Sequence, residues 1–128
     1  MAAVSTKINP VNWFEIPVKD IVRARKFYEK VLDLRLTPYD MEPFTMAFFP
    51  MTQNAAGATG SLIMGESYVP SHAGTVVYFS VDSIEEALRR INANGGRTLL
   101  PKKSIGEYGF VAHFEDSEGN RLALHSMK

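Results

Sequence analysis

Two side chains near opposite ends of the chain have the types needed for proton chemistry. Glu15 interrupts the otherwise apolar run WFEIPV (13–18), and a carboxylate there is costly to bury unless it is paired or used. His125 lies in the closing stretch RLALHS (121–126), four residues after Arg121. A carboxylate and an imidazole that converge within about 3–4 Å, or through one water, form an acid–base pair. Glu15 would then be the general base, or an anchor for a cationic or hydroxyl group, with His125 as its partner. A structural pair, Glu15–Arg121 or Glu15–His125, explains the same residues without catalysis and stays open. Of the other histidines, His72 in Pro70-Ser71-His72 reads as a solvated loop residue. His113 sits on a strand whose facing the sequence leaves open. There is no cysteine, which removes disulfides, thiolate zinc sites and a thiol nucleophile, and fits a reducing compartment.

The element that positions Glu15 occurs twice. Trp13 to Val18 reads as a strand, Asp20 as a helix cap, and Ile21, Ala24, Phe27, Tyr28, Val31 and Leu32 recur at helical spacing. The second copy has Val76 to Val81 as strand and Ser83 as cap, with Glu86 three residues on to complete a capping box. Ile84, Ala87, Leu88 and Ile91 form its apolar stripe, and Gly95-Gly96 end it. Val18 matches Val81, Ile21 matches Ile84 and Ala24 matches Ala87: 81 − 18, 84 − 21 and 87 − 24 all equal 63, close to half of 128. Three matches in one register indicate an internal duplication.

Short strands complete each half. Arg35 to Pro38, closed by its proline, and Phe44 to Phe49 precede a small-residue loop over 50–60, and Ser61 to Met64 follows it. In the second half the strands are Arg97 to Leu100, closed by Pro101, then Phe110 to Glu115, then Arg121 to His125, with a turn over 116–120. Each half is therefore βαβββ. Residues 1–9 form an N-terminal lead-in and 10–128 a single domain, with module one over about 10–66 and module two over about 74–126. Phe27 and Tyr28 read as core, Arg23, Arg25, Lys26 and Lys30 as a solvated helix face, and Met41, Met46, Met51 and Met64 as gap fillers or an adaptable wall.

Lys+Arg and Asp+Glu both number 14, so the formal charge is zero and no general affinity for nucleic acid or acidic membranes is expected. No apolar run approaches the roughly 20 residues of a membrane span, and residues 1–9 lack the apolar centre of a signal peptide. A cytoplasmic protein with a small-molecule ligand, and neither nucleic acid nor membrane as partner, is the expectation.

The duplicated unit, the opening FEIPVKDIVRARKFYEKVL, the second copy VDSIEEAL and the terminal FEDSEGNRLALHS together resemble the vicinal oxygen chelate superfamily. Glyoxalase I, bleomycin-resistance proteins and extradiol dioxygenases belong to it, and the likeness spans about residues 10–126, nearest to predicted relatives of lactoylglutathione lyase. It implies an α+β fold of two tandem βαβββ modules forming a cup-shaped, partly open barrel of mixed sheet, commonly dimeric. A homodimer is expected here. Metal-dependent members of the superfamily place a His or Gln five residues before the strand-end valine, which here falls on Trp13 and Val76, and a Glu seven after the turn's first Asp, which falls on Ala123. The remaining ligand would lie near Ser61 to Met64, which has neither carboxylate nor imidazole. None of these side chains binds a divalent cation well. No metal cofactor is therefore expected. An unorthodox divalent site on Glu15 and His125, completed by His72, His113, Glu66 or water, is a lesser alternative.

If Trp13 faces the cup, strand alternation turns Glu15 the same way, and Tyr78 is the duplicated counterpart of Glu15. The parity that turns Ala123 inward also turns Arg121 and His125 inward. The expected lining is Trp13, Glu15, Val76, Tyr78, Arg121, Ala123 and His125. Two functions fit it: a metal-independent enzyme using Glu15 and His125, of lyase or isomerase type by resemblance, or a non-catalytic, resistance-type binding protein that sequesters its ligand on stacking surfaces.

Overall fold

The computed structural model describes residues 9–128, so most of the expected N-terminal lead-in lies outside the described residues. Both halves are βαβββ: β1 (Trp13–Pro17), α1 (Ile21–Leu32), β2 (Thr37–Met41), β3 (Phe44–Phe48) and β4 (Thr59–Met64), then β5 (Tyr78–Ser80), α2 (Ile84–Ala93), β6 (Arg97–Ser104), β7 (Phe110–Glu115) and β8 (Arg121–Ser126). Each half folds into its own mixed four-stranded sheet, in the orders β1-β4-β3-β2 and β5-β8-β7-β6. The architecture is thus α+β with two matching modules and no closed barrel.

The helices start where local chemistry dictates. The Asp20 carboxylate accepts from the backbone N–H of Val22 and Arg23 at 3.1 and 3.0 Å, and the Ser83 hydroxyl accepts from Glu86 N–H at 3.1 Å. The Glu86 carboxylate does not close the expected capping box. It bonds Arg89 and Arg90, three and four residues on, where helical spacing brings cations within reach.

One core serves both modules. Phe14 on β1 and Phe79 on β5 meet with ring centroids 5.9 Å apart, and Tyr28 of α1 lies against Phe49 and Phe79 at 5.7 and 5.8 Å. Phe27, on the same helix, reaches Phe114 of β7 at 6.4 Å. Both sheets therefore turn their helix-bearing faces onto this shared core. Gly60 lets β4 pass β1 closely, because a Cβ there would collide with the Phe14 carbonyl. The 116–120 turn then ties the modules together through polar contacts. Tyr28, fully buried, donates its hydroxyl to Asp116 at 2.7 Å, and Asn120 Nδ2 donates to the Pro17 carbonyl at 2.7 Å. Glu118 accepts from the backbone N–H of Lys19 and Asp20 and from Arg23 Nε at 2.7 Å. Arg23 thus clamps the modules from the solvated face of α1, where its side chain stays half exposed.

Three strands differ from the sequence reading. Proline ends neither β2 nor β6: Pro38 pairs with Ala47 inside β2, and Pro101 lies within β6. Both are edge strands, where a missing N–H can face solvent, and β6 absorbs its proline at register shifts between Thr98 and Lys103. β5 is shorter than the expected Val76 to Val81. Ala123 N–H bonds the Val77 carbonyl while Arg121 N–H bonds that of Ser71, so the chain bulges out between those two carbonyls before the regular ladder begins.

Candidate functional site

With the helix faces sealed into the core, candidate ligand groups stand on the opposite, outer faces of the two sheets. On the first sheet, parallel pairing sets Trp13 beside Thr59 and Glu15 beside Ser61, and Ser61 in turn neighbours Phe48 on β3. Trp13 meets Phe48 edge-on at 5.5 Å, and Tyr39 stacks on Phe48 at 5.1 Å. Tyr68, from the segment after β4, lies near Glu15, and the charge of that carboxylate pushes the phenol's pKa up. Ser61 is fully buried beneath this group, and its hydroxyl has no partner.

On the second sheet, Tyr78 pairs with Ala123, and Ala123 with His113. Arg121 Nε donates to His113 Nδ1 at 2.9 Å, and the Tyr78 hydroxyl lies 3.2 Å from His113 Nε2. An arginine only donates, so Nδ1 is the acceptor and the ring proton resides on Nε2, directed at the Tyr78 oxygen. The Tyr78 hydroxyl hydrogen is left for a ligand. Burial first, and the Arg121 charge second, hold the His113 pKa below the ordinary imidazole value. The guanidinium of Arg121 forms no ion pair among the described residues. His125 Nε2 bonds the Tyr108 carbonyl at 2.6 Å, which places its proton on that nitrogen. His72 bonds Glu115, which Arg97 also holds, while its ring stays exposed to solvent.

The network gives a direct expectation. His113 should titrate below the usual value of about 6.5, and Arg121→Gln should move it upward by removing a like charge. Because the folded state disfavours the imidazolium, the unfolded chain binds the proton more readily. Stability is therefore lost as pH falls from about 6.5 through the folded pKa. NMR titration of the His113 ring, before and after the substitution, checks both directions.

Trp13 and Glu15 share one outer face, and Tyr78, Arg121, Ala123 and His125 share the other. Val76 lies in the bulge outside the β5 ladder. Glu15 and Arg121 both border a crevice of about 120 Å³ beside residues 69–77, yet no hydrogen bond or ion pair joins Glu15 to Arg121 or His125 among the described residues. A larger crevice of about 570 Å³ opens on the helix side between Phe14, Phe49, Phe79, Leu34 and α2. It is a seam of the shared core, away from the polar groups above, so the outer faces are the stronger candidate. The positions at which the superfamily resemblance implies metal ligands carry Trp13, Val76 and Ala123. Among the described residues no three His, Cys, Asp or Glu side chains converge as a metal site. The donor set does not fit a divalent ion.

Sequence reasoning left the facing of His113 open and passed over Ser61 and Tyr68 as site residues. For His113 a signal existed, since Phe110, Ala112 and Phe114 share one parity and alternate with Val111, His113 and Glu115. Ser61 and Tyr68 carry no local signal, because their place depends on β1 and β4 pairing in parallel across more than 40 residues.

Comparison with known proteins agrees with this architecture. The model of the Glyoxalase/Bleomycin resistance protein/Dioxygenase superfamily matches residues 10–124. A lactoylglutathione lyase of Salmonella typhimurium is 30% identical over 118 residues, covering 87% of each chain. A glyoxalase/bleomycin resistance protein/dioxygenase domain from Frankia sp. superposes with a TM-score of 0.71 at 16% identity, covering 94% of this chain and 99% of that one. Glyoxalase I from Zea mays superposes with a TM-score of 0.66 at 20% identity over 92% of this chain but only 46% of its own, so this chain spans about half of that protein. By the family match over most of its length, on a fold of two βαβββ modules, the chain belongs to the glyoxalase/bleomycin resistance/dioxygenase superfamily.

Proposed function

We propose that this protein binds a small organic molecule on the outer faces of its sheets, without a metal ion, and that binding rather than turnover is its task. The carrying observation is Arg121. It is half-buried beside a Tyr78 that is 50% exposed, spends Nε on a neutral His113, and pairs with no carboxylate among the described residues. Its terminal nitrogens and the Tyr78 hydroxyl are suited to a carboxylate or other oxyanion on the ligand. The Glu15–His125 acid–base reading has less support, because no hydrogen bond joins the two among the described residues and His125 is engaged by a main-chain carbonyl.

Both outer faces are open in one chain, with Tyr39 and Met41 also 45% and 48% exposed. A second copy laid against them would enclose the ligand, which makes a homodimer part of the proposal. Among the described residues no helix is long and apolar enough to cross a membrane. The test is calorimetry with small aromatic carboxylates, benzoate first, alongside light scattering at micromolar concentration. Saturable binding weakened about tenfold by Arg121→Gln is expected, with a mass twice 14.3 kDa. Benzoate binding that ignores Arg121, or hydrolysis or isomerisation of bound carboxylates abolished by Glu15→Gln, would replace this reading.

A further inference from the structure

The internal duplication is broken at one place. The offset of 63 carries Lys19, Asp20 and Arg23 onto Asp82, Ser83 and Glu86. Around the first set the seam between the modules is filled. Glu118, from the turn between β7 and β8, accepts from the backbone N–H of Lys19 and Asp20 and from Arg23 Nε. The counterpart connection, between β3 and β4, runs MTQNAAGA over 51–58. It holds no carboxylate, and no hydrogen bond joins it to Asp82, Ser83 or α2 among the described residues. The crevice of about 570 Å³ opens there, with Pro50 and Ala58 on one border and Asp82, Ser83 and Glu86 on the other. One end of the seam is plugged by the chain itself, and its counterpart is open.

The open end has the size of a small-molecule pocket, for which about 300–1,000 Å³ is usual. Its floor is aromatic: Phe14, Phe49 and Phe79 are in mutual contact, with ring centroids 5.5, 5.9 and 5.7 Å apart. Phe14 and Phe79 stay only partly buried although they pack against the core. The rim is acidic. Asp33, which ends α1, and Asp82, which precedes the α2 cap, are exposed and form no ion pair among the described residues. Arg90, the crevice's one cation among the described residues, is held by Glu86 at 3.1 Å. The positive end of α2 calls for no further anion, since Glu85 and Glu86 already occupy its first turn. A neutral hydrocarbon would cover the floor and leave the rim uncompensated, and an anion would be repelled by it. We propose that this crevice is a second binding site, for an aromatic organic cation such as a protonated arylalkylamine. Its ring rests on the three phenylalanines, and its charge is set against Asp33 and Asp82. The site lies on the helix side, opposite the outer faces, and stands independently of the reading built on Arg121.

Naphthylmethylamine and naphthylmethanol at neutral pH are probes of nearly one shape and different charge. NMR spectra of the nitrogen-15-labelled chain locate them through the amides of Leu34, Ser80 and Val81, which border the crevice. The amine should shift these amides saturably, with an affinity about tenfold above that of the alcohol. Asp33→Asn combined with Asp82→Asn should erase that preference. Asparagine tolerates the left-handed conformation of Asp33, so the fold is kept. Either single substitution should lower the preference about threefold, and covers the case in which the pair is not folded. Equal affinity for the two probes, shifts confined to residues outside the crevice, no shifts at all, or a preference that survives both substitutions overturns the cation site.

Discussion

Replacing Asp116 with alanine should cost about 3–5 kcal/mol of stability, because it strands several buried donors at once. The side chain is 2% exposed and accepts four hydrogen bonds: the Tyr28 hydroxyl at 2.7 Å, Asn120 Nδ2 at 3.0 Å, and the backbone N–H of Glu118 and Asn120 at 2.9 Å each. Each orphaned donor costs about 1–3 kcal/mol, and partial relaxation with entry of water keeps the total below the simple sum. For a domain of this size that is a fall in melting temperature on the order of 10–20 °C. Tyr28→Phe removes only one of the four bonds and should cost about 1–2 kcal/mol. Burial is the first cause that raises the pKa of both Asp116 and Tyr28. Thermal melts of the two variants supply the check. An Asp116→Ala protein melting within a few degrees of the parent would show that the turn does not hold the modules together.

Residues 9–66 and 67–128, prepared separately, should each fail to fold, although each contains a complete βαβββ unit. Phe14, Phe27, Tyr28 and Phe49 of the first half are covered by Phe79 and Phe114 of the second, and the reverse holds equally. Burying a side chain of that size contributes about 1.5–3 kcal/mol, so losing several such covers exceeds the whole stability typical of a domain, roughly 5–15 kcal/mol. Arg23 and Glu118 would also part, leaving the Glu118 carboxylate and its Lys19 and Asp20 amides to water. Far-UV circular dichroism should record no cooperative transition for either half, and one upon mixing if the halves recognise each other. A cooperative melt from a single half near the parent temperature would mean that the modules are independent folding units.

What the sequence determined by itself was local or periodic. Asp20 and Ser83 cap their helices because a side chain needs to reach only two or three residues ahead, and the offset of 63 exposes the duplication because both copies keep one apolar spacing. Strand parity likewise placed Trp13 with Glu15, and Arg121 with His125, since side chains alternate along a strand wherever it sits. Only the tertiary structure decided which distant groups meet. Arg23 finds Glu118 across 95 residues, and His113 lies between Tyr78 and Arg121. Pro38 and Pro101 stay within strands because those strands lie at sheet edges. Glu15 and His125 share no hydrogen bond among the described residues, and His125 bonds the Tyr108 carbonyl instead. The physical reason is common to these cases: a hydrogen bond across the fold depends on register, bulges and the packing of one sheet's helix face against another's, and none of these leaves a mark at the residue itself.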